Sequence, residues 1–385
     1  MGEPLAFDAC IIGGCGRVGL PFALALADGG MQVAAVDVDR RAVESVAAGR
    51  MPFFEPGCEE ILARVVGRCL IASVDPGLVV GARWVVVVVG SAAADGVVEG
   101  LLGRLRAGQT LILRTTLPPG TTDRVASRID AAGIDVRVAY CPERVAEGHA
   151  LAELATLPQL VGARDDATYD AAEGLFRPLG VERLRLSPVA AELAKLFGNA
   201  WRSVQFAAAN EMLKTCAEAG VDYHEVRDAM TRGYPRLAGL PAAGFAEGPC
   251  LGKDAKLLDD AARSPLVRAA REVNTGLPAA IVAQVRDRYG LRGKVVGLLG
   301  LAFKADVDDL RDSQAARLRL HLEAEGATVL GTDPAADGWP LEEVLRRAEI
   351  LVVGVPHSSY RGIEIPGGVP LIDVWDLFGR GVFST

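Results

Sequence analysis

The chain has 385 residues, of which half are hydrophobic and 23% are charged, and its formal net charge is −8. This length exceeds one ordinary hydrophobic core, so two or three domains are expected, and the composition is that of a folded protein. No cluster of Lys and Arg is present, which argues against nucleic acid as a partner.

The first residues lack the charged start, apolar stretch and cleavage site of a signal peptide. The longest purely apolar run, Trp84 to Val89, is too short to span a bilayer, so no membrane partner is expected. The seven cysteines are odd in number and form no CxxC pair, and the four histidines lack ligand spacing. We therefore expect a cytoplasmic protein with reduced thiols and no metal site.

The first part of the chain alternates strand-like and helix-like segments. A short apolar strand at residues 8–13 is followed by a glycine-rich turn and a helix over residues 21–28. Further strands are predicted at 32–38, 84–89, 110–113 and 135–140. Strands that alternate with helices predict a parallel sheet with helices on both faces, and this first domain covers residues 1–187.

The pattern GxGxxG follows the first strand and opens the first helix, and its residues are Gly14, Cys15, Gly16, Arg17, Val18 and Gly19. The first glycine permits a tight turn, the second lets the backbone approach a pyrophosphate, and the third lets the helix pack closely on the strand. Asp37 ends the next strand, where it would accept hydrogen bonds from the adenosine ribose and repel a 2′-phosphate. The pattern predicts an NAD site; the alternative is a structural turn that binds no ligand.

A long helix is predicted after Pro188, with neither Gly nor Pro between Asn199 and Ala219. An apolar and a polar stripe run along it at spacings of three or four residues. The apolar stripe holds Leu193, Leu196, Phe197, Ala200, Trp201 and Val204, and the polar stripe holds Glu192, Lys195, Asn199 and Arg202. A helix of about 28 residues would span about 42 Å, which is typical of an interdomain spine or a dimer interface. We expect a central helical domain over residues 188–285 and a homodimer through this helix.

The last part of the chain, residues 286–385, repeats the α/β pattern. Strands are predicted at 295–301, 328–332, 350–355 and 371–374, and helices at 313–325 and 341–347. The predicted fold class is therefore α/β, with two Rossmann-like, doubly wound parallel-sheet domains joined by a central helical domain with a long spine helix.

The chain carries a series of further motifs. They are Thr115-Thr116-Leu117-Pro118-Pro119-Gly120-Thr121-Thr122, Cys141-Pro142-Glu143-Arg144 with Glu147-Gly148, Glu192-Leu193-Ala194-Lys195 with Asn199 and Asn210-Glu211, Gly248-Pro249-Cys250-Leu251-Gly252-Lys253-Asp254, Gly300-Leu301-Ala302-Phe303-Lys304 with Asp309-Leu310-Arg311-Asp312-Ser313, and Asp373-Val374-Trp375. Together and in this order they resemble the UDP-glucose/GDP-mannose dehydrogenase family over nearly the whole chain. The resemblance implies an NAD-dependent nucleotide-sugar 6-dehydrogenase, of the kind that serves uronic acid and polysaccharide biosynthesis.

The implied reaction takes an alcohol to an acid and therefore needs two hydride transfers. The aldehyde formed first has no carbinol to donate the second hydride until a nucleophile adds, and a cysteine can add to give a thiohemiacetal. The resemblance assigns this role to Cys250, followed by oxidation to a thioester and hydrolysis. Without the surrounding motif, a lone cysteine would be interpreted as a buried packing residue.

The resemblance also implies that Lys195 and Asn199, one helical turn apart, stabilise the developing oxyanion. Glu143 is implied as the general base for thioester hydrolysis, acting through water with Thr116. Asp254 is implied to orient or activate water. Taken singly, each of these residues would be interpreted as an ordinary polar surface group.

Binding roles are implied as well. For the substrate they fall on Glu143, Glu147, Lys195, Asn199, Arg236, Lys253 and Lys304. Arg236 and Lys304 suit a diphosphate by charge and geometry. For the cofactor they fall on Thr116 and Ser91. Ser91 lies where the family has a Val-Pro-Thr-Pro-like turn, and its hydroxyl would replace the hydroxyl of the threonine in that turn.

The sugar is predicted as UDP-glucose, oxidised at C6, because Cys250 with Lys253 and Asp254 resembles the glucose branch. Trp201-Arg202 resembles the N-acetylhexosamine branch, so a dehydrogenase of UDP-N-acetylglucosamine or UDP-N-acetylmannosamine is the alternative. A one-step β-hydroxyacid-type NAD dehydrogenase would need neither the cysteine nor a second α/β domain. A non-catalytic nucleotide-sugar-binding protein is a further alternative, against which the retained catalytic residues argue.

Overall fold

The computed structural model describes residues 6–384. The chain divides into two compact units, the first ending at Leu196 and the second beginning at Phe197. The division into three domains, with boundaries at residues 187 and 285, stays a prediction.

The first unit is built on a sheet of eight described strands. They are β1 (Phe7–Ile12), β2 (Val33–Val36), β3 (Leu70–Ser73), β4 (Ala82–Val87), β5 (Thr110–Leu113), β6 (Arg137–Tyr140), β7 (Gln159–Gly162) and β8 (Arg183–Leu186). The strand order is β3-β2-β1-β4-β5-β6-β7-β8, and only β6 and β7 pair antiparallel. The sequence does not predict strands β3, β7 and β8, because none of them lies in a long apolar run.

Helices cover both faces of this sheet, as the alternation predicts. They are α1 (Gly19–Asp28), α2 (Arg40–Ala47), α3 (Cys58–Val65), α4 (Ala94–Leu101), α5 (Thr121–Ala131), α6 (Ala150–Leu154) and α7 (Asp166–Glu173). Strand β1 has β2 on one side and β4 on the other, so the order of the strands reverses there. The loops after β1 and β4 therefore flank the crevice in which such sheets bind ligands.

The long helix α8 (Pro188–Ala219) has 32 residues, slightly more than predicted. Its side chains do not divide as the two predicted stripes suggest. Phe197 and Trp201 of the apolar stripe are 54% and 62% exposed, whereas Glu192 of the polar stripe is fully buried. Glu192 departs from a solvated polar face because of tertiary contacts described below, whereas Phe197 and Trp201 form an exposed apolar patch.

The second unit continues with helices and a smaller sheet. The helices are α9 (Tyr223–Thr231), α10 (Pro249–Ala262), α11 (Pro265–Tyr289), α12 (Gln314–Ala324) and α13 (Leu341–Arg347). The strands are β9 (Val295–Leu299), β10 (Thr328–Thr332), β11 (Ile350–Val353), β12 (Leu371–Ile372) and β13 (Phe383–Ser384). Their order is β10-β9-β11-β12-β13, parallel except for the last pair. The predicted fold class of two parallel-sheet α/β domains with a helical central region is confirmed.

All seven cysteines are free thiols, and Cys250 is the one that is exposed. Among residues 6–384, no group of three His, Cys, Asp or Glu side chains is placed to hold a metal ion. No helix in the described part of the chain is long and apolar enough to cross a membrane.

Candidate active site

The loop between β1 and α1 is shaped by four glycines. Gly13 has a φ of +83°, and a Cβ there would lie 2.0 Å from a backbone carbonyl oxygen. A Cβ on Gly14 would lie 2.6 Å from another carbonyl oxygen, and one on Gly19 would lie 2.1 Å from that of Gly13, whereas Gly16 has no neighbour closer than 3.4 Å. Packing therefore requires the first and third glycines of the pattern, and Gly13, which the pattern does not include, makes the left-handed turn.

The start of α1 and the end of β2 fit a dinucleotide. Val18, the N-cap of α1, makes no side-chain capping bond, and in the first turn the N–H of Leu20 donates to the carbonyl oxygen of Gly16 at 2.9 Å. Asp37 accepts hydrogen bonds from the N–H groups of Cys15 and Asp39, both at 3.1 Å, so its carboxylate lies beside the glycine-rich turn. This arrangement suits a diphosphate at the helix start and an adenosine ribose at Asp37.

Two residues predicted for different ligands pair with each other. Arg17 donates from Nη1 to Oε1 of Glu147 at 2.7 Å. The neighbouring Val18 of the glycine-rich turn is exposed. The buried Glu55, which belongs to none of the sequence motifs, accepts hydrogen bonds at 2.8 Å from the N–H groups of Gly148 and Ala150. The structure thus brings Glu147 to the glycine-rich turn and fixes the loop that carries it.

Ser91 and Thr116 are brought together at the ends of β4 and β5. Ser91 donates from Oγ to the carbonyl oxygen of Thr116 at 2.7 Å. The hydroxyl of Thr115 accepts from the N–H of Val89 and donates to its carbonyl oxygen, both at 2.9 Å. The loop at residues 90–94, where the chain departs from the family pattern, is therefore tied to the turn that carries Thr116.

Glu143 is held by four hydrogen-bond donors. Its Oε2 accepts from Nε of Arg114 at 3.0 Å and also from Nη2, and its Oε1 accepts from the N–H groups of Arg144 and Val145 at 2.7 and 3.0 Å. Arg114 is only 1% exposed, and its guanidinium lies 4.1 Å from the centroid of the Phe22 ring. A carboxylate whose acceptor sites are filled is an anchor, and this geometry does not favour the predicted role of general base.

The first turn of α8 caps another helix. Glu192 accepts from the N–H of Gly120 at 2.6 Å and from both the N–H and the hydroxyl of Thr122, at 2.8 and 2.6 Å. Its carboxylate thus caps the start of α5, directly after the Pro-Pro-Gly turn. Lys195, the predicted oxyanion stabiliser, is half-buried one turn later on the same helix.

The second unit contains Cys250, Asn199 and Asp254. Cys250 is the second residue of α10 and is exposed, and Asp254 lies one turn further along, with 1% of its surface exposed. Asn199 donates from Nδ2 to Oδ2 of Asp254 at 2.6 Å, and Nζ of the exposed Lys253 lies 3.7 Å from Oδ1. Since residues four apart share a helix face, the cysteine and the buried Asn–Asp pair lie on the same side of α10.

A buried amide pair holds the loop that precedes Cys250. Asn210 of α8 donates to the carbonyl oxygen of Gly244 at 3.1 Å and accepts from its N–H at 2.9 Å. Asn210 also donates to Oδ1 of Asn274 at 3.0 Å, and Nδ2 of Asn274 donates to the carbonyl oxygen of Ser203 at 3.0 Å. These contacts attach the loop to α8 and α11.

Lys304 lies half-buried in the loop after β9, near the cysteine turn. The ring of its neighbour Phe303 packs on Gly248, where a Cβ would lie 2.7 Å from Cδ2. Asp333, buried but held by His357 and by the N–H groups of this loop, has its pKa lowered to about 2. The loop is therefore rigidly attached within the second unit.

Arg236 lies on the surface of the second unit. It donates from Nη1 to the hydroxyl of Tyr234 at 3.0 Å, and its guanidinium lies 5.4 Å from the centroid of that ring. Its role toward a substrate stays a prediction.

Comparison with known protein families matches three segments of the chain. Residues 8–180 match the NAD binding domain of the UDP-glucose/GDP-mannose dehydrogenase family, residues 189–276 its central domain, and residues 297–377 its UDP binding domain.

Three individual proteins illustrate this similarity. The chain is 29% identical to an NDP-N-acetyl-D-galactosaminuronic acid dehydrogenase of Ralstonia nicotianae, over 93% of both chains. It is 32% identical to a UDP-glucose 6-dehydrogenase of Haloferax volcanii, over 84% of this chain and 82% of the relative. A solved structure of a UDP-D-ManNAc dehydrogenase from Pyrococcus horikoshii superposes with a TM-score of 0.86 at 25% identity, covering 92% of this chain and 91% of the other.

Proposed function

The chain belongs to the UDP-glucose/GDP-mannose dehydrogenase family and contains its NAD-binding domain, and from that premise we propose that it oxidises the C6 alcohol of a UDP-sugar to a carboxylate through a covalent adduct on Cys250. The observation that carries the proposal is the hydrogen bond of 2.6 Å between Asn199 and the buried Asp254, on the same face of α10 as the exposed cysteine. The partial positive charge at the start of α10 favours a thiolate at its second residue.

NAD, when bound, would supply a hydride acceptor, and each of the two oxidations would consume one NAD molecule. Once the alcohol has become an aldehyde, the Cys250 thiolate forms a C–S bond and the carbonyl π pair moves to oxygen. We assign Lys195 and Asn199 to the stabilisation of that oxyanion. After the second oxidation, water adds to the thioester, the C–S bond breaks, and its electron pair returns to sulfur.

We assign the proton from the attacking water to Asp254, rather than to Glu143 with its four donors. In this proposal Glu143 and Thr116 hold the loops at the ends of β5 and β6. Glu147, Lys253, Arg236 and Lys304 are the proposed contacts of the nucleotide sugar, and Arg17, Val18, Ser91 and Asp37 those of NAD.

Two sugars are candidates. UDP-glucose is supported by the Lys253-Asp254 pair after Cys250 and by the relative named as a UDP-glucose 6-dehydrogenase. A UDP-N-acetylhexosamine is supported by Trp201-Arg202 and by the relatives named for N-acetylgalactosaminuronic acid and N-acetylmannosamine. The seven free thiols support the cytoplasm as the compartment.

Turnover with UDP-glucose, UDP-N-acetylglucosamine, UDP-N-acetylmannosamine, UDP-N-acetylgalactosamine and GDP-mannose tests the proposal. We expect two NADH per sugar consumed with one of the UDP-sugars, because each carboxylate requires two hydride transfers. The measurement is NADH absorbance together with the sugar product by mass spectrometry. One NADH per sugar would instead identify a one-step dehydrogenase, and none with any sugar that binds would identify a non-catalytic binding protein.

We further propose a homodimer through α8. One stripe of this helix is apolar and exposed, with Phe197, Trp201, Ala208 and Met212 at spacings that place them on one face. Large exposed apolar side chains in a row are typical of an interface, and a two-fold axis would bring the stripe against its own copy.

Trp201→Glu is expected to convert this dimer to a monomer, because it would place two charges in an apolar interface. Light scattering after size exclusion measures the mass. Leu320→Glu, at an equally exposed leucine of α12, is the matched control and should leave the dimer intact. A monomeric wild-type protein would contradict the proposal.

A further inference from the structure

Three residues before Cys250 lies a buried carboxyl group. Glu247 is only 4% exposed, and its Oε2 accepts from Nδ2 of Asn274 at 3.3 Å and lies 3.5 Å from the hydroxyl of Ser203. Its backbone carbonyl oxygen accepts from Nε2 of Gln314 at 2.7 Å. Helices α8, α11 and α12 therefore all contact the residue from which the cysteine turn begins.

The surroundings of this carboxyl group contain unpaired polar atoms of both kinds. Among the described residues, the acceptors Oε1 of Glu247 and Oε1 of Gln314 and the donor Nε of Arg271 are buried without a hydrogen-bond partner. Ionisation of Glu247 would add negative charge to a closed site in which its own Oε1 already lacks a donor. A proton on Glu247 instead converts one of its oxygens to a donor.

The charges around Glu247 do not reverse this preference. Arg271 of α11 and Arg317 of α12 act to lower its pKa, as do the hydrogen bonds from Asn274 and Ser203, but burial outweighs them and raises the pKa of Glu247. From α8 the contact is the neutral Ser203, and α10 itself contributes Lys253 and Asp254 further along the helix. Burial thus favours the neutral carboxyl group even though α11 and α12 each present an arginine to it.

The side chain of Glu247 also sets where α10 begins. Gly248 is the N-cap, Cys250 the second helical residue and Gly252 the fourth. A Cβ on Gly252 would lie 3.0 Å from Oε1 of Glu247, so the carboxyl group packs on the first turn from the residue before the cap. Contacts between the residue before the N-cap and the fourth helical residue fix the direction in which a chain enters a helix.

We propose that Glu247 is a positioning residue for Cys250: as a neutral carboxyl group it holds the turn of residues 247–250 against α8 and α11, and its ionisation loosens that turn. The inference rests on the proposed role of Cys250 as the nucleophile. In this proposal the reactivity of the Cys250 thiol depends on the ionisation of Glu247 as well as on the ionisation of the thiol itself.

The test compares Glu247→Gln, which is neutral at every pH, with wild type. Peptide mass spectrometry measures the rate at which iodoacetamide alkylates Cys250 from pH 5 to 9. We expect equal rates at the acid end, and a variant-to-wild-type ratio that rises to about fivefold at the alkaline end, where only wild type acquires the buried charge. Glu247→Ala should alkylate more slowly than wild type already at the acid end, because the turn has lost its support.

Thermal unfolding gives a second readout. Because burial raises the folded-state pKa of Glu247, its stabilising contribution is complete below the unfolded-state pKa and is lost as pH rises through the folded-state value. The Tm of wild type should therefore fall relative to that of Glu247→Gln over this range, whereas Glu211→Gln, at an exposed glutamate of α8, should follow wild type. A constant alkylation ratio across pH, or a Gln variant that behaves like the Ala variant, would overturn the proposal.

Neither readout requires a nucleotide sugar. Failure of every sugar in the turnover assay would therefore remove the proposed function and leave the pH dependence of Cys250 intact. A pH-independent alkylation ratio in an active dehydrogenase would remove only the role of Glu247.

Discussion

Replacement of Cys250 by Ala is expected to lower kcat for acid formation by about 10⁴-fold or more, with NAD affinity unchanged. Without the thiol the aldehyde gains no sulfur adduct, so the carbon from which the second hydride departs is not formed on the protein. The glycine-rich turn that fits NAD lies in the first unit, whereas Cys250 lies in the second. Mass spectrometry of the sugar acid and fluorescence titration of NAD measure the two quantities.

Two variants serve as controls. Cys69→Ala removes a half-buried thiol of the first unit and should leave acid formation at the wild-type rate. Cys250→Ser should accumulate an acyl-enzyme, because an oxygen ester is hydrolysed more slowly than a thioester, and the mass of the intact protein would reveal it. Full acid formation by Cys250→Ala would exclude the covalent mechanism and indicate that the aldehyde is hydrated directly.

Local patterns were sufficient to predict much of the fold. Strand β4 is buried at all but one of its residues, as expected for a central strand of a parallel sheet. Its consecutive apolar residues identify it as a strand without tertiary information. Strand β8 alternates Arg and Leu, pairs only with β7 at the sheet edge, and is half-buried or exposed, so no apolar run marks it. In the glycine-rich turn, the pattern identified the packing glycines but not Gly13, whose requirement comes from the loop after β4.

Buried charges could not be predicted in this way. Glu192 was placed on a polar stripe with Lys195, yet it is buried because Gly120 and Thr122, about 70 residues earlier, supply its donors. The partner of Arg114 likewise lies 29 residues further along the chain. Such pairs form where strand topology brings distant loops together, which the spacing of residues along one element does not encode.

Glu143→Ala is expected to lower the free energy of unfolding of the first unit by about 3–5 kcal/mol, because it leaves the guanidinium of Arg114 buried and unpaired. Arg114 also donates to the carbonyl oxygen of Cys141 at 3.1 Å and to Oε1 of Gln159 at 3.2 Å, so it cannot turn to solvent without breaking those bonds too. Hydrogen exchange of the β5 and β6 amides in urea measures the loss locally. Glu99→Ala removes an exposed partner of Arg128 in the same unit and should cost at most about 1 kcal/mol.

The double variant Arg114→Met with Glu143→Gln separates the two roles that Glu143 could have. Methionine fills the apolar space beside Phe22 without a charge, and glutamine still offers an oxygen to the N–H groups of Arg144 and Val145. We expect the double variant to recover more than half of the stability that Glu143→Gln alone loses; purely additive losses would contradict the pairing. If acid formation recovers together with stability, Glu143 is an anchor, as its four donors indicate. If stability returns while the thioester accumulates, Glu143 takes part in hydrolysis, and the assignment of that proton to Asp254 is wrong.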